Sequence, residues 1–198
     1  ANLSAMMDDT DKLRQFYADA TALGLSILPP DVNASNYRFE PVDGEHIRYG
    51  LGGIKGTGRA AIEAIVAARA ERPFTDLFDF CRRVDKRSVN RRAVEALIRA
   101  GAFDAIDARR ASLLASVGAA LDHGERAERA ASQVSLFGEE SGEGEAAPAL
   151  IAAREWSEAE RLAQEKASLG FYLSGHPYHA HAAELSRLVQ QSLSALKP

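Results

Sequence analysis

Apolar residues recur at helical spacing through most of this chain. Leu13, Phe16, Tyr17, Ala20 and Leu23 share one face of a predicted helix over 9–23, with Asp8, Asp9 and Asp11 near its positive end and Gly24 as its stop. Ile62, Ile65 and Val66 predict a helix over 59–71, ended by Pro73. Leu77, Phe78, Phe80, Cys81 and Val84 predict another over 76–84, with Thr75 as its N-cap. Val94, Leu97 and Ile98 predict one over 91–100, with Gly101 at the C-cap position. Leu113, Leu114 and Val117 extend the pattern over 109–121, and Leu162, Ala163, Ala167 and Leu169 give a weaker inner face over 155–170. A last helix is predicted over 182–193.

Period-two patterning is confined to the first quarter. Leu25 to Leu28 runs into Pro29-Pro30, which forces an extended path. Tyr37-Arg-Phe-Glu40 and His46-Ile-Arg-Tyr49 flank Pro41-Val-Asp-Gly44, a hairpin signal. Two strands alone are marginal in water, so this hairpin must lean on other elements. The expected class is mainly α: paired helical hairpins with a small β-hairpin and flanking helices.

One stretch breaks the periodicity. Tyr49-Gly-Leu-Gly-Gly-Ile-Lys-Gly-Thr-Gly-Arg59 places five glycines directly before a predicted helix. Glycine serves where the backbone needs positive φ or a close approach. Amides of Gly56, Thr57 and Gly58 at a helix N-terminus, flanked by Lys55 and Arg59, suit an anion such as phosphate. Gly56-Thr-Gly58-Arg-Ala-Ala61 nominally fits a dinucleotide fingerprint, but no buried strand precedes it and no acid-tipped second strand follows. A Walker loop requires Gly-Lys-Ser/Thr, which does not occur. A helix-hairpin-helix, gripping a nucleic-acid phosphate without reading sequence, fits better. A plain interhelical turn would need only one or two glycines.

A second cationic turn, Asp85-Lys-Arg-Ser-Val-Asn90, follows with Arg82, Arg83, Arg91 and Arg92 around it. Either these arginines coat a solvated surface, or they join two helix N-termini on one phosphate-binding face. The whole-chain charge of −4 hides the asymmetry. Residues 51–110 carry 13 Lys/Arg against 8 Asp/Glu, a net of +5, while 120–160 carry 3 against 10, a net of −7. A basic face beside an acidic linker suits a polyanionic partner.

From Gly124 to Ala149 the composition turns to Glu, Gly, Ala and Ser, which reads as an unstructured linker. Within it, Gln133-Val-Ser-Leu-Phe137 is an apolar island that either docks into a partner's pocket or folds back onto the body. His176, His179 and His181 lack cysteine or carboxylate companions at ligand spacing, so no metal site is assigned. The single Cys81 allows no internal disulfide and fits a reducing compartment; no signal peptide and no membrane-length apolar run are visible. A cytoplasmic location is the expectation.

Taken in order, Leu28-Pro-Pro-Asp-Val-Asn33, Tyr49-Gly-Leu-Gly-Gly-Ile-Lys-Gly-Thr-Gly58, Asn90-Arg-Arg92, Leu97-Ile-Arg-Ala-Gly-Ala-Phe-Asp104 and Leu169-Gly-Phe-Tyr-Leu-Ser-Gly-His-Pro177 closely resemble the alpha-subunit family of bacterial replicative DNA polymerase III. The resemblance covers nearly all of the chain outside the linker. It implies that 1–44 is the end of a fingers region and 45–117 a tandem helix-hairpin-helix domain holding duplex DNA. It implies further that 118–150 is a linker and 151–198 a helical lead toward an oligonucleotide-binding domain.

By that resemblance the DNA-binding set is Ile54, Lys55, Gly56, Thr57, Gly58 and Arg59, with Lys86, Arg87, Ser88, Asn90, Arg91 and Arg92. Gln133, Ser135, Leu136 and Phe137 match the Gln-x-x-Leu-Phe pattern that binds the beta sliding clamp. Other domains and subunits of the polymerase III holoenzyme are the remaining implied partners, with no membrane. The family's metal-holding carboxylates lie upstream in a palm domain, so Mg2+ is expected of the parent polymerase and no cofactor or catalytic residue of this chain. Two alternatives remain from other classes: a glycosylase or lyase using Lys55 as nucleophile, and a purely structural bridge between domains.

Overall fold

A computed structural model describes residues 2–137 (side chains to 130), 148–179 and 181–182. The chain opens with a short turn of helix, α1 (Asn2–Ala5), and α2 (Thr10–Ala22). Asp9 caps α2 by accepting the Lys12 N–H at 3.1 Å, and Gly24 closes it at φ 83°. Three strands follow: β1 (Ser26–Leu28), β2 (Glu40–Pro41) and β3 (His46–Arg48).

The predicted hairpin is present as the antiparallel β2–β3 pair, with Glu40 opposite Arg48. Pro41 is tolerated because β2 is an edge strand. The support that the hairpin needs comes from β1, which pairs in parallel on the other side of β3, Ile27 opposite Ile47. Nothing in the local pattern of 25–28 announces that pairing.

The helical body comprises α3 (Arg59–Glu71), α4 (Leu77–Arg83), α5 (Arg91–Arg99), α6 (Arg110–Phe137) and α7 (Glu158–Leu169). Its mainly α class is as the periodicity predicts. One buried cluster runs from Leu3 and Leu13 through Tyr49, Ile62, Ile65, Phe80, Leu97 and Val117 to Phe171. Phe171 enters between Tyr17 and Tyr49, at ring distances of 5.2 and 6.3 Å. Phe80 stands edge-on to Phe74 and Phe103, at 4.8 and 5.0 Å.

The loop after β1 is stitched to this body. Asn33 exchanges two hydrogen bonds with the Phe74 backbone, donating to its carbonyl at 2.9 Å and accepting its N–H at 2.8 Å. Arg69 donates to the Val32 and Ser35 carbonyls and to Asn36.

Two local expectations need correction. Asp76, not Thr75, caps α4: its carboxylate accepts the Asp79 N–H at 2.8 Å, while the Thr75 hydroxyl donates only to Asp76. The helix expected to end near 121 runs on to Phe137. The charged, alanine-rich run after Gly124 has good helix propensity, and tertiary contacts hold its start. His123 packs edge-on to Phe78 at 5.8 Å. A Cβ at Gly124 would stand 2.6 Å from the Cys81 carbonyl, so only glycine lets α6 approach α4 here. The predicted helix over 182–193 lies outside the described residues.

Ion pairs seal the joints. Asp79, 5% exposed at its side chain, meets Arg72, Arg82 and Arg83 at 2.6, 3.0 and 3.1 Å. Arg110 bridges Asp104 at 2.6 Å and the buried Glu165 of α7 at 3.0 Å. Glu165 in turn accepts from the Ser174 N–H and hydroxyl.

Candidate nucleic-acid interface

The glycine stretch divides its labour. Gly50, Gly52 and Gly53 are packing residues: a Cβ on any of them would collide with the backbone of 37–39, with Tyr37 or with Tyr49. They let the 3₁₀ turn Leu51–Gly53 lie against the loop before β2 and against the Tyr49 ring. Gly56 and Gly58 differ. Gly56 sits at φ 88°, which side-chain-bearing residues adopt only with strain. Gly58 is the N-cap of α3, with open space where a Cβ would stand and no side chain to cap the helix.

That leaves α3 with a bare N-terminus. Lys55, Gly56, Gly58, Arg59 and Ala60 are all exposed. Among the described residues, no acceptor is recorded for the N–H of Gly56, Gly58, Arg59 or Ala60. The first four amides of a helix need an external partner, and here water or an anion must supply it.

Thr57 and Ile54 do not join this face. The Thr57 N–H donates inward to the Ile54 carbonyl at 3.3 Å, and its hydroxyl donates to the Leu51 and Ile54 carbonyls at 2.9 and 2.7 Å. Ile54 is 2% exposed and belongs to the core. Thr57 shapes the turn, and the open amides skip it: Gly56 precedes it, and Gly58, Arg59 and Ala60 follow. Arg59 pairs with Glu63 at 3.0 Å and lies over the Tyr37 ring at 5.0 Å.

The second hairpin is built differently. Asp85 consumes its turn amides: its carbonyl accepts from Ser88 and Val89, and its carboxylate from the Arg87 N–H and the Ser88 hydroxyl. The Ser88 hydroxyl bond holds the Asp85 carboxyl below its ordinary range. Asn90 caps α5 by accepting the Ala93 N–H at 3.0 Å. Ser88 and Asn90 therefore position the turn, leaving cations to reach outward. Arg91 pairs with Glu95 at 2.8 Å, and Lys86 with Glu128 of α6 at 2.9 Å. Arg87 and Arg92 are exposed, and Arg87 lies near enough to Asp85 and Glu128 to help lower both carboxyls.

α5 brings the hairpins together. A Cβ on Gly56 would lie 4.0 Å from the Ala96 methyl, so the first turn rests on α5. Ala96 is six residues beyond Asn90, about 9 Å along the axis. Arg92 stands between the two turns and lines, with Lys55, Gly56, Glu95, Arg99 and Gln164, a recess of about 520 Å³. Lys86 and Arg87 line another, of about 690 Å³, against α6.

Sequence reasoning did not find the hold on the first turn. The Lys55 N–H donates to the Ser168 carbonyl at 2.8 Å, from 113 positions downstream. Arg82 and Arg83, expected within the cationic patch, are spent on Asp79, and Arg83 is only 11% exposed at its side chain. The 133–137 motif continues the backbone of α6, but its side chains lie outside the described residues, as do 138–147.

Residues 24–113 match the family described as the helix-hairpin-helix motif, which is the class the two turns and their helices define. The whole chain is similar to part of the DNA polymerase III subunit alpha of several bacteria. That of Neisseria meningitidis serogroup A is 49% identical over 200 residues, covering all of this chain and 17% of the relative. Those of Caulobacter vibrioides and Bacillus subtilis are 42% and 41% identical over 190 and 184 residues, covering 94% and 93% of this chain and 16% of each relative. The chain thus spans about a sixth of the length of the curated relatives it matches. Among the described residues, no helix is long and apolar enough to cross a membrane.

Proposed function

We propose that this chain is the duplex-holding portion of a bacterial replicative DNA polymerase alpha subunit, binding the sugar-phosphate backbone without sequence preference. The observation that carries this reading is the bare, exposed N-terminus of α3, with Lys55 beside it and Arg92 between the two turns. Backbone amides and point cations recognise phosphate oxygens and carry no base information. In this reading the DNA-directed polymerase chemistry and its Mg2+ belong to the longer protein outside this chain. Gln133, Ser135, Leu136 and Phe137 form the tether to the sliding clamp, with Leu136 and Phe137 as apolar anchors.

Titrating the chain against duplexes of unrelated sequence at several salt concentrations tests it. Affinities should agree between sequences and fall steeply with salt, as phosphate contacts release counterions. Replacing Lys55 and Arg92 together by Ala should reduce the slope of log K against log salt by about 2. A slope left unchanged would refute the assignment. It would favour the structural-bridge reading, which draws support from the internal pairing of Arg82, Arg83 and Lys86.

A further inference from the structure

We propose that the recess between the second hairpin and α6 is a second phosphate seat, held closed in the free protein by Glu128 acting as an internal stand-in for the phosphodiester. The inference rests on the duplex-binding reading above and adds a competitor to it. Lys86 and Arg87 on the turn face Ala127 and Glu128 on α6 across this recess. Glu128 is far away in sequence, yet its Oε2 lies 2.9 Å from Lys86 Nζ. The Lys86 ammonium is mostly enclosed, at 19% side-chain exposure, whereas Glu128 is 72% exposed. The more exposed acid is the partner that an arriving phosphate would displace, and the enclosed base is the one that stays. The Lys86 hydrogen bond holds the Glu128 carboxyl below its ordinary range, so the stand-in is charged at neutral pH.

The neighbouring charges leave this exchange to Lys86 and Arg87. Arg82 and Arg83 line the same recess but are fixed on Asp79, and the Asp85 carboxylate is turned to the Ser88 hydroxyl and the Arg87 N–H. A phosphodiester oxygen arriving at Lys86 would replace one anionic acceptor by another. The hydrogen bond is conserved while the carboxylate is expelled into solvent, where like charge keeps it from the phosphate. Because the pair is largely exposed on the acid side, the handicap it imposes is modest, about two- to five-fold in affinity. The same pair ties the turn to α6 one helical turn beyond Gly124. Seating a duplex would therefore loosen that part of α6 just ahead of the 133–137 motif.

The test is a cycle in the full chain, read by anisotropy of a labelled duplex. Glu128→Gln should tighten binding about two- to five-fold. Glu125→Gln, which removes the same charge from an acid paired within α6 to Arg129, should change it less. In a Lys86→Met background the Glu128→Gln gain should vanish. Amide exchange over 125–130 should quicken when duplex is bound. Equal gains from the two glutamine variants, a gain that survives without Lys86, or slower exchange on binding would overturn the proposal. If the parent chain shows no salt-dependent duplex binding, the functional reading falls and takes this one with it. Normal binding without the Glu128→Gln gain removes this one alone.

Discussion

The backbone N–H of Lys55 donates to the carbonyl of Ser168 at 2.8 Å, so the first hairpin hangs from the last turn of α7. Gly170 ends that turn at φ 89°, with its missing side chain making room for Thr10 Cγ2 and for Lys55 Nζ, 2.9 Å from the Cβ position. Gly170→Val should destabilise the chain by about 1–3 kcal/mol, the usual cost of forcing a branched residue into left-handed backbone. It should also weaken duplex binding by displacing Lys55. Urea unfolding and a duplex titration read the two effects. Lost stability with intact affinity would show that the turn holds its shape without α7.

Asp79 sets a pH dependence. Desolvation raises its pKa, but hydrogen bonds from Arg72, Arg82 and Arg83 outweigh that and bring it to about 2, against an ordinary 3.8. A folded value below the unfolded one means the stabilisation is complete above about pH 4 and drains away as pH falls toward 2. Asp79→Asn should cost about 2 kcal/mol at pH 7 and flatten the acid limb of the stability curve. Urea midpoints at pH 7, 4 and 2.5 measure both; an unchanged acid limb would mean the arginines do not hold the carboxylate.

The Arg110 bridge should behave as a buried pair. Arg110→Met leaves Glu165, at 1% side-chain exposure, with only the longer contact to Arg161 at 3.8 Å, and should cost about 3–5 kcal/mol. Adding Glu165→Gln should recover part of that loss, because the stranded charge is removed. A double variant no better than the single would place the cost in packing instead.

Leu136→Ala with Phe137→Ala should abolish capture of the chain by an immobilised bacterial sliding clamp. Duplex affinity should stay within about two-fold, since Leu136 is eight residues, about 12 Å of helix, beyond the Glu128 that meets the second turn. Clamp capture that survives the change would remove the tether from the proposed function.

Much of this fold can be read from local patterns. The helices near 9–23, 59–71 and 91–100 fall within a residue or two of α2, α3 and α5, because their apolar faces are regular and their ends carry Asp9, Gly24, Asn90 and Gly101. What stays hidden depends on residues distant in sequence. β1 pairs with β3 across a loop that gives no sign of it, and α6 outruns its apolar stripe because Gly124 and His123 find α4. The candidate site is legible to the same degree. Lys55, Gly56 and Arg92 line one recess, with Gly58 exposed two residues on, but the inward Thr57 N–H depends on a turn geometry that composition does not encode. The three arginines on Asp79 read as surface charge until the carboxylate is seen buried among them.

Gly124 presses α6 onto the carbonyl of Cys81, whose thiol is fully buried and pushed up to about 12 by desolvation. A thiol so placed reacts with alkylating reagents only after the two helices part. As the chain's lone sulfhydryl, it is a natural clock for the opening of this domain: its labelling rate, with and without a bound duplex, times how long the helices stay shut.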